Sequence, residues 1–431
     1  MTCCTWLNKK YSQLCLCVAF FFMSSPMILN AQAVPSEPPS NIVPLESAIF
    51  TTLRPLSDLN EDGYTELLAG GVDGNLKLIS VNPKETGEYL DFPKWPQFLD
   101  APLTGGIKTI GKGHKTVIVA TTSGESQYFF NRNGRNICNM QFQKTPGSEW
   151  QVYETGEDSV NMTIPGKDHI HVVSVSDGNV ACFEPIKAKE PPIGDSILIP
   201  GGLLGYKTKN GRVYVTDMEG NPLKGWPKTT SSSNDSWGYN MGSADVAGDG
   251  GSVIYTTTAS NQFIMWDLEG NELKKFNISS PAFPAPTFED VDGNGTTDVI
   301  IAQKSGEVMV CNLDGKPLKG WPYRGSGSIL HQPKFIDIDG DGHKDLVFVT
   351  SRQGGQGRLV ALDRNGKTLS GYPKDLGQTY SNPVFSDINN DGYMEIILAS
   401  IKNEEPHIHV FPTKAKSRIR MVTLGHELVL E

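Results

Sequence analysis

Four nine-residue segments place oxygen-bearing side chains in one pattern: Asp58-Leu-Asn-Glu-Asp-Gly-Tyr-Thr-Glu66, Asp290-Val-Asp-Gly-Asn-Gly-Thr-Thr-Asp298, Asp337-Ile-Asp-Gly-Asp-Gly-His-Lys-Asp345 and Asp387-Ile-Asn-Asn-Asp-Gly-Tyr-Met-Glu395. Asp or Asn stands at positions 1, 3 and 5, Gly at position 6, and Asp or Glu at position 9. Side chains at alternate positions of a curled loop turn their oxygens toward one point, which suits a hard cation such as calcium. Magnesium, which keeps several of its waters, suits a loop with this many protein oxygens less well. An EF-hand opens in the same way but needs Glu at position 12 and a helix on each side. Position 12 here is Ala69, Ile301, Phe348 and Leu398, all apolar and all within runs that read as strands. The helix-loop-helix calcium proteins are thereby excluded. A simple acidic turn is the remaining alternative, and it would leave several carboxylates repelling one another.

The loops belong to a larger repeat. Asp290, Asp337 and Asp387 recur at intervals near fifty residues, and a step back from Asp290 reaches Asp245 in Ala244-Asp-Val-Ala-Gly-Asp-Gly-Gly251. That copy keeps Asp245, Asp249 and Gly250, but Ala247 and Val253 stand where ligands would be, so it reads as a repeat that has lost its ion. Each acidic loop runs into an apolar segment, such as Val299-Ile-Ile-Ala302 or Leu346-Val-Phe-Val349. A Gly-led strand follows, then an Asp/Gly turn (Asp217 to Gly220, Asp267 to Gly270, Asp363 to Gly366), then Gly-Trp-Pro or Gly-Tyr-Pro ending at Pro227, Pro322 or Pro373, with a looser copy at Lys94-Trp-Pro96. Asp and Gly supply the side-chain bonding and positive φ of tight turns. The Gly-led strand can be counted eight times, near Gly74, Gly124, Gly178, Gly211, Asn261, Gly306, Gly357 and Pro406, with a short third unit. Between residues 105 and 200 the acidic loop is missing, and Ile110-Gly-Lys-Gly113 and Ile164-Pro-Gly166 read as its remnants. Helical periodicity is absent, and about four short strands per unit of roughly 40–50 residues indicate an all-β propeller. Apolar residues at consecutive positions fit strands buried on both faces.

On these motifs the chain resembles the FG-GAP/VCBS repeat family, whose blades also build the integrin α-subunit propeller. The resemblance runs from Val43 to about Gly425 and is strongest after Asn210. It implies a β-propeller of seven or eight four-stranded blades, with eight repeats counted. It also implies that the calcium loop joins the first two strands of a blade, on the face opposite the usual partner-binding surface.

With the loops aligned, the expected metal ligands are Asp58, Asn60, Asp62 and Glu66 with the carbonyl of Tyr64, and Asp290, Asp292, Asn294 and Asp298 with that of Thr296. The third set is Asp337, Asp339, Asp341 and Asp345 with the carbonyl, not the ring, of His343. The fourth is Asp387, Asn389, Asp391 and Glu395 with the carbonyl of Tyr393. The expected cofactor is Ca²⁺ at about four structural sites, with the modest affinity of extracellular calcium modules.

Residues 1–33 read as a secretory signal: Lys9 and Lys10 precede an apolar core from Leu14 to Met23, and Ala31-Gln32-Ala33 offers a cleavage site. Residues 34–44 read as a Pro/Ser-rich linker and 45–431 as one propeller. The whole chain has net charge −10; without residues 1–33, Lys+Arg falls from 38 to 36 against 48 acids. An acidic chain argues against nucleic acid, whose binding rests on cations meeting phosphates. Four of the seven cysteines (Cys3, Cys4, Cys15 and Cys17) lie in the leader. The three that remain make no disulfide framework, and Cys182 and Cys311, in apolar runs, read as buried thiols.

Other motifs carry less. The Gly-Trp-Pro elements could stack on sugars, but recurrence at one place in the repeat points to packing of blade on blade. His169/His171 and His407/His409 each put two rings on one strand face, a zinc pair lacking a third ligand. No nucleophile elbow, phosphate loop or metalloprotease helix is present. The expected function is a secreted, periplasmic or cell-surface binding or adhesion module without catalysis, with a protein or carbohydrate partner on the face opposite the calcium loops. The alternatives are a lyase-like polysaccharide-degrading propeller, which would need a basic cluster at the channel, and a purely structural cell-surface element.

Overall fold

A computed structural model describes residues 42–430 except 46–47, 50, 85–86, 89–93, 104–105, 112, 142–150, 157–158, 231–240, 353–355, 380, 418–420 and 425–426. The expected leader and the first part of the linker lie outside these residues. The described elements are strands, apart from one helical turn at Gly113–Lys115.

Eight antiparallel sheets, each built on four strands in order, form the blades of a propeller. Blade 6 shows the plan. Thr287–Glu289 is innermost, then Asp298–Ala302, Glu307–Asn312 and, at the rim, Tyr323–Arg324. Its middle strand faces two ways: Val299 and Ile301 pack toward blade 5 while Ile300 and Ala302 pack toward blade 7. This is the period-two geometry of a strand with both faces covered, and it is why the sequence shows no alternation there. Eight hydrophobic clusters occupy the eight blade-to-blade interfaces. One of them joins the first blade to the last through Leu67, Ala69, Ile397 and Ala399, so the ring is closed.

Closure depends on a segment the sequence assigned to the linker. Ile42–Pro44 is a strand, paired antiparallel with His407 to His409 as the outermost strand of blade 8. Val43 is fully buried there. The propeller therefore begins at Ile42, inside the expected linker 34–44. The register is non-local, with partners more than 360 residues apart, and three residues carry no pattern that could announce it. A hairpin, Met421–Leu424 with Glu427–Leu430, makes a separate two-stranded sheet.

The blade count settles at eight, and the short third unit has an explanation. Seven of the eight Gly-led marks fall at the turn between a blade's second and third strands. Gly178 falls one strand later, between His169–Ser176 and Asn179–Cys182. The true equivalent in blade 3 is the turn after Pro165, where Gly166 N–H donates to the His169 carbonyl. Ile164-Pro-Gly166 is thus that turn and no remnant of an acidic loop, whereas Ile110-Gly-Lys-Gly113 does lie between a first and a second strand.

The Gly-Trp-Pro elements hold neighbouring blades together. Trp95, Trp226 and Trp321 are all buried. Trp226 Nε1 donates to the Leu268 carbonyl of blade 5 at 2.8 Å, and Trp321 Nε1 donates to the Arg364 carbonyl of blade 7 at 3.1 Å. Trp226 also meets Trp266 edge-on, with ring centroids 6.0 Å apart. A Cβ on Gly320 (φ +90) would lie 2.0 Å from the Asn365 carbonyl oxygen, so only glycine lets the chain approach so closely. These rings are not available to stack on sugars.

Two smaller expectations divide. Cys311 is buried as predicted, but Cys182 is exposed, because its apolar-looking run is the rim strand of blade 3.

Candidate metal centres

All four acidic loops join the first strand of a blade to the second, in blades 1, 6, 7 and 8. They form one hydrogen-bonded cage four times over. The carboxylate at position 1 accepts from backbone N–H groups at positions 5 and 6. Asp337 accepts from Asp341 at 3.0 Å and from Gly342 at 3.0 Å; Asp58, Asp290 and Asp387 do the same in their loops. The side chain at position 5 accepts from the N–H at position 7, as in Asp62 with Tyr64, Asn294 with Thr296, Asp341 with His343 and Asp391 with Tyr393. Position 6 holds a left-handed glycine in each: Gly63, Gly295, Gly342 and Gly392 have φ between 81 and 90.

Position 9 closes the cage from the second strand. One carboxylate oxygen of Glu66, Asp298, Asp345 and Glu395 accepts from the N–H at position 2, at 2.6, 3.1, 2.8 and 3.0 Å respectively. All four carboxyls are buried. In Glu66 and Asp298 the second oxygen is buried without a hydrogen-bond partner. A buried carboxylate oxygen with nothing to bond is costly unless a cation takes it.

The electrostatics agree. Burial, with added repulsion from Asp62 and Asp58, raises the Glu66 carboxyl to about 7. Burial together with the carboxylates of their own loops raises Asp298 to about 6, Asp345 to about 7 and Glu395 to about 8. Burial likewise raises Asp387. The chain has thus placed acids where, without a cation, they resist ionising.

Asp58, Asp62 and Glu66, then Asp290, Asp292 and Asp298, then Asp337, Asp339 and Asp341 each bring three carboxylate oxygens within 4.8 Å of one another. Among the described residues the fourth loop brings no such trio together, although its cage of hydrogen bonds is the same. There Asn389 hands its amide N–H to Asp391 at 3.0 Å, as Asn60 does to Asp62 at 3.1 Å in the first loop. The His343 ring lies 3.5 Å from the Arg364 guanidinium. One group escaped sequence reasoning: Asn82, two residues past the third strand of blade 1 (Asn75–Ser80), donates to Asp62 at 2.9 Å. No signal within the nine-residue motif could point to it.

The degenerate loop of blade 5 is an internal control. Asp245 accepts from Gly248, Asp249 and Gly250, so the turn forms without ligands at positions 3 and 9. With those amides and no crowding acids, the Asp245 carboxyl is held below its ordinary value, first through the Gly250 N–H. The buried position 9 is filled by Val253.

Loops of adjacent blades also touch. Asn390 donates to the Gly63 carbonyl at 2.9 Å, and Thr65 N–H donates to the Ile388 carbonyl at 2.8 Å, so the loops of blades 8 and 1 brace the ring where the chain closes. The two His-x-His pairs gather no third ligand among the described residues. His169 pairs with Asp168, and His409 Nε2 lies 2.7 Å from Ser400 Oγ.

Comparison with known proteins places these features. The profile of the FG-GAP-like repeat matches residues 290–348 and 337–398, each stretch running from one acidic loop into the strand after the next. No curated protein sequence matches the chain. Among solved structures, Sqt1 of Saccharomyces cerevisiae aligns over 85% of this chain and 96% of its own, at 10% identity and a TM-score of 0.58. BamB of Moraxella catarrhalis aligns over 87% and 99%, at 14% identity and 0.54. The computationally designed Ika8 protein aligns over 86% and 99%, at 14% identity and 0.53. At such identities these likenesses show the fold alone.

Proposed function

For an eight-bladed propeller that carries FG-GAP-like repeats, we propose the role of a secreted, calcium-stabilised binding module that performs no chemistry of its own. One observation carries the calcium reading: four identical cages close on buried carboxyls, two of which leave an oxygen without a partner. Calcium held there by the named oxygens would neutralise them and tie the first two strands of a blade together. The ion's contribution is then stability by mass action, since it binds the folded chain and not the unfolded one.

The partner's surface is the face opposite these loops, made by the turns between second and third strands and by the connections from blade to blade. Propellers commonly meet protein partners there or at the channel, and fold alone chooses no partner. The N-terminal leader read from the sequence, with destination outside the cytoplasm, fits calcium sites of the extracellular class. Among the described residues no helix is long and apolar enough to cross a membrane.

The test incubates the purified, calcium-loaded chain with arrayed glycans and with surface proteins of its source. Saturable binding that leaves the partner's length unchanged supports the module. Depolymerisation of an acidic polysaccharide would replace it with the lyase-like alternative.

A further inference from the structure

Between blades 6 and 7, at the end of the ring away from the acidic loops, lies a cavity of about 260 Å³. Tyr323, Arg324 and Ser326 line it from the rim of blade 6 and the connection that follows, and Thr350, Arg358 and Val360 line it from blade 7. Strand geometry puts the blade 7 side chains there. Thr350 stands two residues beyond Phe348 on the second strand, and Arg358 two before Val360 on the third, so all four share the face that packs toward blade 6. Thr350 and Arg358 are direct cross-strand partners. The connection itself reads Gly325-Ser-Gly327. A Cβ on Gly327 (φ +96) would lie 2.8 Å from the Ser351 carbonyl oxygen, so glycine lets the connection press against blade 7.

Three guanidinium groups meet here. Arg358 Nε donates to Asp375 at 2.7 Å, and Arg324 Nε lies 3.5 Å from Glu307. Arg352, just past the second strand, donates through Nη2 to Ser326 Oγ and has no carboxylate partner among the described residues. Three cations against two carboxylates leave one positive charge. Asp375 and Arg324 are mostly exposed, so both ion pairs are weak and can give way to a ligand. Two polar groups stand unused. Thr350 is only 2% exposed and its hydroxyl has no hydrogen-bond partner, and Arg352 Nε is buried with no acceptor. Such groups are costly to leave unpaired. Ser326 Oγ, having accepted from Arg352, still has its own hydrogen to give.

We propose that this cavity binds one acidic sugar unit. Its carboxylate takes the Arg352 Nε–H, the Ser326 hydroxyl and the Arg358 guanidinium, a ring hydroxyl bonds Thr350, and the apolar face of the ring rests on Tyr323 and Val360. The single net charge calls for a monoanion, and charge-assisted bonds from a guanidinium fix its orientation. The volume exceeds what a bare carboxylate fills, yet stays below that of a drug-sized pocket. The site lies on the face given above to the partner and deepens that reading, on which it rests in one respect: the sugar is released unchanged.

The test is an NMR titration of the calcium-loaded full chain with glucuronate, and with glucose and lactate at matched ionic strength. Saturable glucuronate binding is expected, with a Kd on the order of 1 mM and at least about tenfold tighter than either comparison. Arg352→Gln should weaken it about tenfold, and Thr350→Val about fivefold with no loss of melting temperature, since nothing in the chain bonds that hydroxyl. Arg135→Gln, on an exposed turn of blade 2, should leave it unchanged. An oligosaccharide ending in glucuronate supports the proposal in either case: tighter binding than the free sugar assigns the site to a glycan terminus, equal binding to the single unit. No saturable glucuronate binding by the parent overturns the proposal, as does glucose or lactate bound as tightly, or an affinity kept in both Arg352→Gln and Thr350→Val. If the chain still captures a surface protein when glucuronate fails, the cavity assignment falls and the binding module stands.

Discussion

Removing the metal should reverse the protein's response to pH. The four position-9 carboxyls are raised in the folded chain, Glu66 from 4.5 to about 7 and Asp345 from 3.8 to about 7. A raised acid contributes stability that is fully present below its unfolded value and is lost as pH rises through its folded value. For Glu66 the window is 4.5 to about 7. Raising the pH from about 5.5 to about 7 crosses some 1.5 units of it, which costs roughly 2 kcal/mol at that one carboxyl. Asp345 loses a similar amount over the same span, and Glu395, raised to about 8, goes on losing above it. His409 works the other way. Burial lowers it to about 4, so its stability is present above the ordinary histidine value and falls as pH drops. Between about pH 6.5 and 5.5 this removes only about 1 kcal/mol. In chelator, therefore, the melting temperature should fall as pH rises from about 5.5 to 8. In saturating calcium the slope should be flat or positive, because the ion needs the ionised oxygens and its affinity grows with pH. Differential scanning calorimetry over a grid of pH and calcium reads both slopes. A melting temperature that climbs with pH in chelator, or a calcium shift no larger at about pH 8 than at 5.5, refutes the reasoning.

Other perturbations follow from the packing. Trp321→Ala removes a buried ring and its bond to the Arg364 carbonyl, and should cost about 3–5 kcal/mol by chemical denaturation. Gly320→Ala should destabilise comparably, since its Cβ would sit 2.0 Å from the Asn365 oxygen; a variant as stable as the parent would contradict that contact. Deleting Ile42 to Pro44 should lower the melting temperature and speed hydrogen exchange in Glu405–Lys416, which loses its outer neighbour. Unchanged protection there would show that the ring closes by another route. Of the four loops, the one at Asp387 should bind calcium most weakly, because its carboxylates converge least; Asp387→Asn should then alter calcium binding less than Asp337→Asn.

What could be read from the chain depended on how local each feature is. The acidic loops were legible to the residue, because nine consecutive positions carry the pattern of side-chain oxygens, its glycine and the start of the following strand. Propeller architecture was legible because the unit repeats, and the eight Gly-led strands counted the blades. The count survived one misplaced mark, Gly178, in a blade with neither an acidic loop nor a Gly-Trp-Pro element to set the register. Ile42–Pro44 could not be read, since its partners His407 to His409 lie at the far end of the chain. The same limit hid Asn82 from the first loop. Cys182 misled because a rim strand can have the composition of a buried one.

The most direct measurement is the metal itself. The purified chain is dialysed against millimolar calcium, its bound calcium is quantified per chain, and its melt is compared with one in excess chelator. About four bound ions are expected, with one lost in Asp339→Asn/Asp341→Asn, and a clear drop in melting temperature on chelation. Fewer than one ion per chain, with two melting curves that overlay, would contradict the calcium assignment.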